Sequence, residues 1–382
     1  MDFELPESSH SQSALEFIGF NPSMAKTIYE RWLQRPDADQ NPDDLIDYVM
    51  GHILMMKSNQ YAEYSARDVM EVVGLKQDMQ DALTDPRFQA IFETQTLHFW
   101  VRDILATNYA TLIRLQQRLK NHAKRGSVHD IFQPAAPTVP EVTATVNVTP
   151  EDHLLPTAFI AIAEEGPVLP DHVVLYKGKA AQEMRVADQM SVAGQFIEDD
   201  GEIDMHVISS YPGGDFNSRH MAWYFTPEKE VAEEYRKWAA RRSPNSETLL
   251  IRIQIPLSFV NSLSVTDLCF SPDWKEYVWC CKRQSGPPAK FESLYMGTTD
   301  VVKGHICTGV NKVHRIKKEA VQKKITEDFV MHVPSTGAKA TQWAFMNPSS
   351  VDRLGEEIRG KVHIDIFASQ LAQEQQISGP EK

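Results

Sequence analysis

Apolar positions in the first third of the chain recur at helical spacing. Met24, Ile28 and Trp32 form one stripe, and Leu45, Tyr48, Val49 and His52 another. Helix punctuation surrounds them. Asn21-Pro22 and Asn41-Pro42 each place a capping side chain before a proline at the first helical position. Asp43 and Asp44 then fall in a first turn, where the helix dipole favours anions. Ser65 with Asp68 reads as a capping box, and Gly74 as a C-cap. Asp85-Pro86 opens a segment running towards Gly126. Its apolar Phe99, Ile104, Leu112 and Leu115, and its basic end at Lys120, Lys124 and Arg125, predict a long helix. Beyond residue 150 the pattern becomes β-rich. Val173–Tyr176, Leu249–Ile255, Tyr277–Cys281 and Trp343–Phe345 are predicted strands. Between them Pro227 to Arg242 reads as a helix, with Val231, Tyr235 and Trp238 on one face.

Residues 133–150 separate the two patterns with four prolines and no aromatic, the composition of an extended linker. The expected organisation is a small helical bundle over 12–55 and a helical region over 56–130. A Pro-rich linker over 131–153, an α+β domain over 154–370 and a flexible tail over 371–382 follow. Lys and Arg number 39 against 52 Asp and Glu, a net charge of −13. That balance disfavours nucleic acid and anionic membrane, which need a broad cationic face. No apolar run approaches the ~20 residues of a membrane helix. The acidic, proline-broken start at Met1–Glu7 predicts neither a signal nor a transit peptide. Cys269, Cys280, Cys281 and Cys307 form no C-x-x-C pair, and we expect no metal. Few cysteines point to a reducing compartment, cytoplasm or nucleus.

Three short segments carry candidate chemistry. Leu175-Tyr176-Lys177-Gly178 ends a predicted strand. Asp215-Phe216-Asn217 precedes Trp223-Tyr224-Phe225-Thr226-Pro227. Trp274-Lys275-Glu276-Tyr277-Val278 is followed by Arg283. A cation can hold a ribose or phosphate. A tyrosine can stack on a planar ring. A carboxylate can accept a ribose hydroxyl and stabilise an oxocarbenium cation. The order of these segments resembles the ADP-ribosyltransferase-like superfamily, in particular a prokaryote-rich branch with L-Y-H-G, D-F-G…F-Y-L-T-P and W-x-D-F-V…R motifs. Trp238-Ala239, Asp300–Gly304, Gln342–Phe345 and Ser350–Leu354 continue the match, which spans roughly residues 155–370.

The resemblance implies an α+β fold of split antiparallel sheets enclosing an NAD cleft, preceded by an all-α region. It implies NAD as substrate. Carried over, Tyr176, Lys177, Gly178, Tyr224, Thr226 and Glu276 bind the dinucleotide. Lys177 stands near the ribose or pyrophosphate and Tyr224 against nicotinamide. Glu276 is the catalytic carboxylate on the nicotinamide ribose, with Tyr224 assisting. Two departures stand out. Lys177 replaces the usual His or Arg and loses its planar hydrogen-bonding group. Trp274 stands where arginine-modifying members carry Glu or Gln. The implied function is an ADP-ribosyltransferase acting on a protein acceptor. The alternatives are a domain that has lost catalysis and serves as an adaptor, and an NAD glycohydrolase. Leu15–Phe20, Ala25…Trp32 and Asp44–Val49 resemble a ubiquitin-associated domain. That resemblance implies a partner-binding loop at Ile18, Gly19 and Phe20, with ubiquitin or a ubiquitylated protein as partner.

Overall fold

The computed structural model describes residues 5–36, 43–61, 63–125, 167–183, 196, 203–296 and 298–369. The Asn41-Pro42 cap, the linker over 131–153 and the tail over 371–382 lie outside the described residues.

The N-terminal part is helical: α1 (Gln12–Ile18), α2 (Pro22–Leu33), α3 (Leu45–Ile53), α4 (Ala66–Val73), α5 (Gln77–Leu83) and the 29-residue α6 (Leu97–Arg125), single turns aside. Local caps set their ends. Asn21 accepts the Met24 N–H at 2.9 Å, with Pro22 opening α2. Ser65 and Asp68 form a reciprocal capping box on α4, and Gly74 closes it in a left-handed turn at φ 85°. One boundary moves. Asp44 caps α3 rather than entering its first turn, with Asp47 reaching back to the Asp44 N–H at 3.1 Å.

The C-terminal part is α+β. β1 (His172–Ala180), β3 (Thr248–Pro256) and β7 (Val362–Phe367) form one antiparallel sheet in the order β1-β3-β7. β2 (Trp223–Phe225), β6 (Thr341–Phe345), β5 (Val301–His305) and β4 (Val265–Leu268) form a second, mixed sheet in the order β2-β6-β5-β4. The sheets meet at one backbone pair. The Tyr176 N–H donates to Thr226 O at 2.7 Å, and the Thr226 N–H returns to Tyr176 O at 2.9 Å. Helix α7 (Lys229–Arg242) lies on β1. Gly178 makes this possible, because a Cβ there would stand 1.9 Å from Ala232 O.

Residues 277–281 are not a strand. They belong to helix α8 (Pro272–Lys282), where Ser271 caps by accepting the Trp274 N–H at 3.2 Å. Trp274, Tyr277, Val278 and Cys281 recur at helical spacing and are all buried. All four cysteines are free, and Cys280 and Cys281 pack in this helix. Among the described residues no helix is long and apolar enough to cross a membrane.

The helical part is docked on the α+β part. The core of the N-terminal helices continues into Val231 and Trp238 of α7 and into Ile306, Met331 and Val333. Trp238 sits among Phe88, Phe92 and Trp100, with ring centroids 5.5–6.4 Å apart. Polar links reinforce the seam: Arg241 to Asp85 at 3.0 Å, and the Val310 N–H to Glu93 O at 2.9 Å.

Gly178→Ala tests the contact between α7 and β1. The added methyl meets backbone, so the helix must shift. A cost of about 1–3 kcal/mol is expected for such overpacking, read as a lower urea midpoint with an unchanged slope.

Candidate functional site

A cavity of about 220 Å³ opens between the two sheets and the helical part. Tyr176, Lys177, Gly178 and Lys179 of β1 line one side. The loop through Gly214 and Asp215, with Tyr224 and Phe225 of β2 and Thr226 just after it, lines another. Ala232, Tyr235, Trp238 and Arg242 come from α7. Thr94, Gln95, Phe99, Trp100 and Asp103 complete the enclosure from the N-terminal helices. Lys282, Ile306 and Gln342 also line it.

Five of the six residues expected to bind the dinucleotide meet at this cavity: Tyr176, Lys177, Gly178, Tyr224 and Thr226. Glu276 does not. It sits on α8, its carboxylate 2.7 Å from Lys290 Nζ, and is absent from the lining. The helical pitch explains this: Trp274, Tyr277 and Val278 turn inward and leave Glu276 on the outer side. His220 lines a separate cavity that also holds His206 and Tyr295.

The chemistry of the retained residues differs from expectation in detail. The Tyr224 hydroxyl accepts the Phe216 N–H at 2.9 Å and donates to Asn217 Oδ1 at 2.8 Å. Burial holds it protonated far beyond neutral pH. Its polar end therefore organises the loop, leaving the ring for contact. Gly214 belongs to the same device, since a Cβ there would stand 2.3 Å from Asn217 Oδ1. The Thr226 hydroxyl donates to Glu228 Oε2 at 2.5 Å. Gly178 is occupied by the approach of α7. The Lys177 amine donates to Tyr224 O at 3.0 Å. Burial first, then the charge of Lys179, lowers its pKa from 10.5 to about 7 against the pull of Glu183.

Three lining residues that the sequence left unassigned set the electrostatics. Asp215 and Lys282 form an ion pair at 2.6 Å, both almost fully buried. Asp215 also accepts the Cys307 N–H at 2.7 Å and Gln342 Nε2 at 2.5 Å. Lys282 donates to Thr94 O at 2.7 Å, which ties α8 to the helical part. Arg242 pairs with Asp103 at 2.6 Å and with Glu183. Every carboxylate on the wall is thus matched by a cation. The D-F motif pointed towards Asp215. Nothing in the periodicity marked Lys282 as a buried charge.

The expected partner loop is likewise corrected. Ile18 and Phe20 are fully buried, and the space a Gly19 side chain would need is filled by the Met79 side chain. The Lys76 N–H bonds Gly19 O at 2.8 Å, and Asn108 Nδ2 bonds Ile18 O at 2.9 Å. Met79 of α5 and Asn108 of α6 thus cover the Ile18–Phe20 loop.

Comparison with protein families, curated proteins and solved structures yields no match to the chain.

Two measurements check these electrostatics. Lys282→Met should leave Asp215 buried without its cation and cost about 3–5 kcal/mol in chemical denaturation. Adding Asp215→Asn should return part of that loss, the signature of coupling. His98 and His314 are pushed down to about 4, chiefly by burial. Their folded values lie below the unfolded value of 6.5, so the unfolded chain binds protons more tightly. The stability they confer is complete above pH 6.5 and is lost as pH falls towards 4. His98→Gln should flatten the fall of the denaturation midpoint across that window.

Proposed function

We propose that the cleft binds NAD or a nucleotide derived from it, and that the chain is an ADP-ribosyltransferase-like domain in which binding prevails over turnover. The observation that carries this reading is convergence. Tyr176, Lys177, Tyr224 and Thr226 come from two segments 47 or more residues apart in sequence, and they line one cavity. An opening between an antiparallel and a mixed sheet, joined at a single backbone pair, supports the same reading. Tyr176, Tyr224 and Trp100 offer faces for a planar base or nicotinamide. Lys177 offers a donor to a ribose or phosphate oxygen.

Turnover needs a carboxylate free to engage the nicotinamide ribose. Glu276 is held by Lys290 outside the cleft. Asp103, Glu183 and Asp215 on its wall are each paired with a cation. That pairing favours the domain without catalysis. Transfer to a protein acceptor and hydrolysis of NAD remain the readings to which observed turnover would lead. The burial of Ile18–Phe20 removes the loop through which a ubiquitin partner was expected, and we propose no protein partner there.

Calorimetry with NAD and ADP-ribose, beside an assay of nicotinamide release, tests the proposal. Saturable binding without release is expected. Tyr176→Ala should weaken binding about tenfold, near the ~1.4 kcal/mol of one stacking contact. Glu276→Gln should leave it unchanged. Release of nicotinamide by the wild type would replace the binding reading with transferase or glycohydrolase. Absence of binding by a folded chain would remove the nucleotide assignment.

A further inference from the structure

The placement of Lys177 gives it a chemistry separate from nucleotide binding. We propose that its amine condenses reversibly with the carbonyl of a small single-ring aldehyde, aromatic or sugar, held in the cleft.

Lys177 is half-buried, and a lysine drawn away from water is normally paired with a carboxylate. Lys177 donates to a backbone carbonyl, Tyr224 O at 3.0 Å, and lies 5.7 Å from the Phe225 ring centroid. The carboxylates that share the cavity are taken by other cations: Asp215 by Lys282, and Asp103 and Glu183 by Arg242. Lys179 follows two residues later on β1 and adds like charge. The hydroxyls of Tyr176, Tyr211, Tyr224 and Tyr235 are the remaining titratable groups of the wall. Burial and Lys179 lower the amine to about 7, so near neutral pH about half of it carries a free lone pair. An arginine or a solvated lysine at this position would have none to offer.

The step balances without an added oxidant or reductant. The amine lone pair attacks the carbonyl carbon, and the C=O π pair moves onto oxygen. A proton passes from nitrogen to that oxygen, giving a carbinolamine. Loss of water then leaves a C=N bond to the lysine, and hydrolysis reverses it. The cavity of about 220 Å³ that Lys177 lines has room for a single ring beside the amine. Tyr176, Tyr224, Phe99 and Trp100 supply flat faces for it.

The test uses the full chain with pyridoxal 5′-phosphate as the aromatic aldehyde and ribose 5-phosphate as the sugar aldehyde. Cyanoborohydride traps the imine as a secondary amine, and peptide mass spectrometry locates it. Lys177 should be labelled at least tenfold faster than the exposed Lys26 and Lys324 at pH 7, by one or both probes. The rate at Lys177 should rise with a midpoint near pH 7, well below the ~10.4 of a free lysine side chain in water. Lys177→Arg keeps the cation and should abolish the adduct at unchanged melting temperature. Reaction with one probe alone assigns the aldehyde class. Labelling of Lys177 no faster than the exposed lysines, or with a midpoint near 10, overturns the proposal. NAD carries no free aldehyde, so calorimetric NAD binding and this labelling succeed or fail independently.

Discussion

The buried ion pair between Lys282 and Asp215 is the interaction on which the rest of the molecule depends. Two charges removed from water are tolerable only when both are paired and hydrogen-bonded. Here the remaining contacts come from three different places. Asp215 is also held by Gln342 on β6 and by the Cys307 backbone after β5. Lys282 ends α8 and reaches Thr94 in the helical part. The pair can exist only when the second sheet, α8 and the N-terminal helices are all in position. It therefore specifies their relative placement more sharply than apolar contact does.

A second junction acts in parallel. Trp238 is enclosed by Phe88, Phe92 and Trp100, and Arg242 bridges Asp103 and Glu183. Aromatic burial supplies the attraction, and the charges fix the register. The outcome is that a cavity between two sheets is closed by residues from a region that the sequence separates from it. The N-terminal helices do not hang from a linker as an independent module. Their own loop, Ile18–Phe20, is consumed in packing against α5 and α6.

Much of this was legible in the chain. Caps at Asn21, Ser65 and Gly74 act locally, so short-range pattern suffices to read them. β1, β3 and β6 were visible because β-branched and aromatic runs sit between turn signals. Tyr277–Cys281 misled for a physical reason: a run of large apolar residues suits a buried helix and a strand equally. The Ser271-Pro272-Asp273 start and the spacing of Trp274, Tyr277, Val278 and Cys281 held the deciding signal. The cost of that misreading was Glu276, since a helix turns away a side chain that a strand would have aimed inward. Lys282 and Arg242 were illegible in kind. A lysine at a helix end normally meets solvent, and only tertiary packing buries it.

The cavity wall is shared between two stretches of chain with different duties. β1, β2 and α7 cannot vary freely, because they also hold the sheets together. Gln95 and Phe99 sit on the opposite bank, outside the ion pairs that hold the seam. Evolution can therefore retune what the cleft accepts by altering one bank, while the other keeps its architecture. Ligand preference and foldability are in this way inherited on separate segments of the same polypeptide.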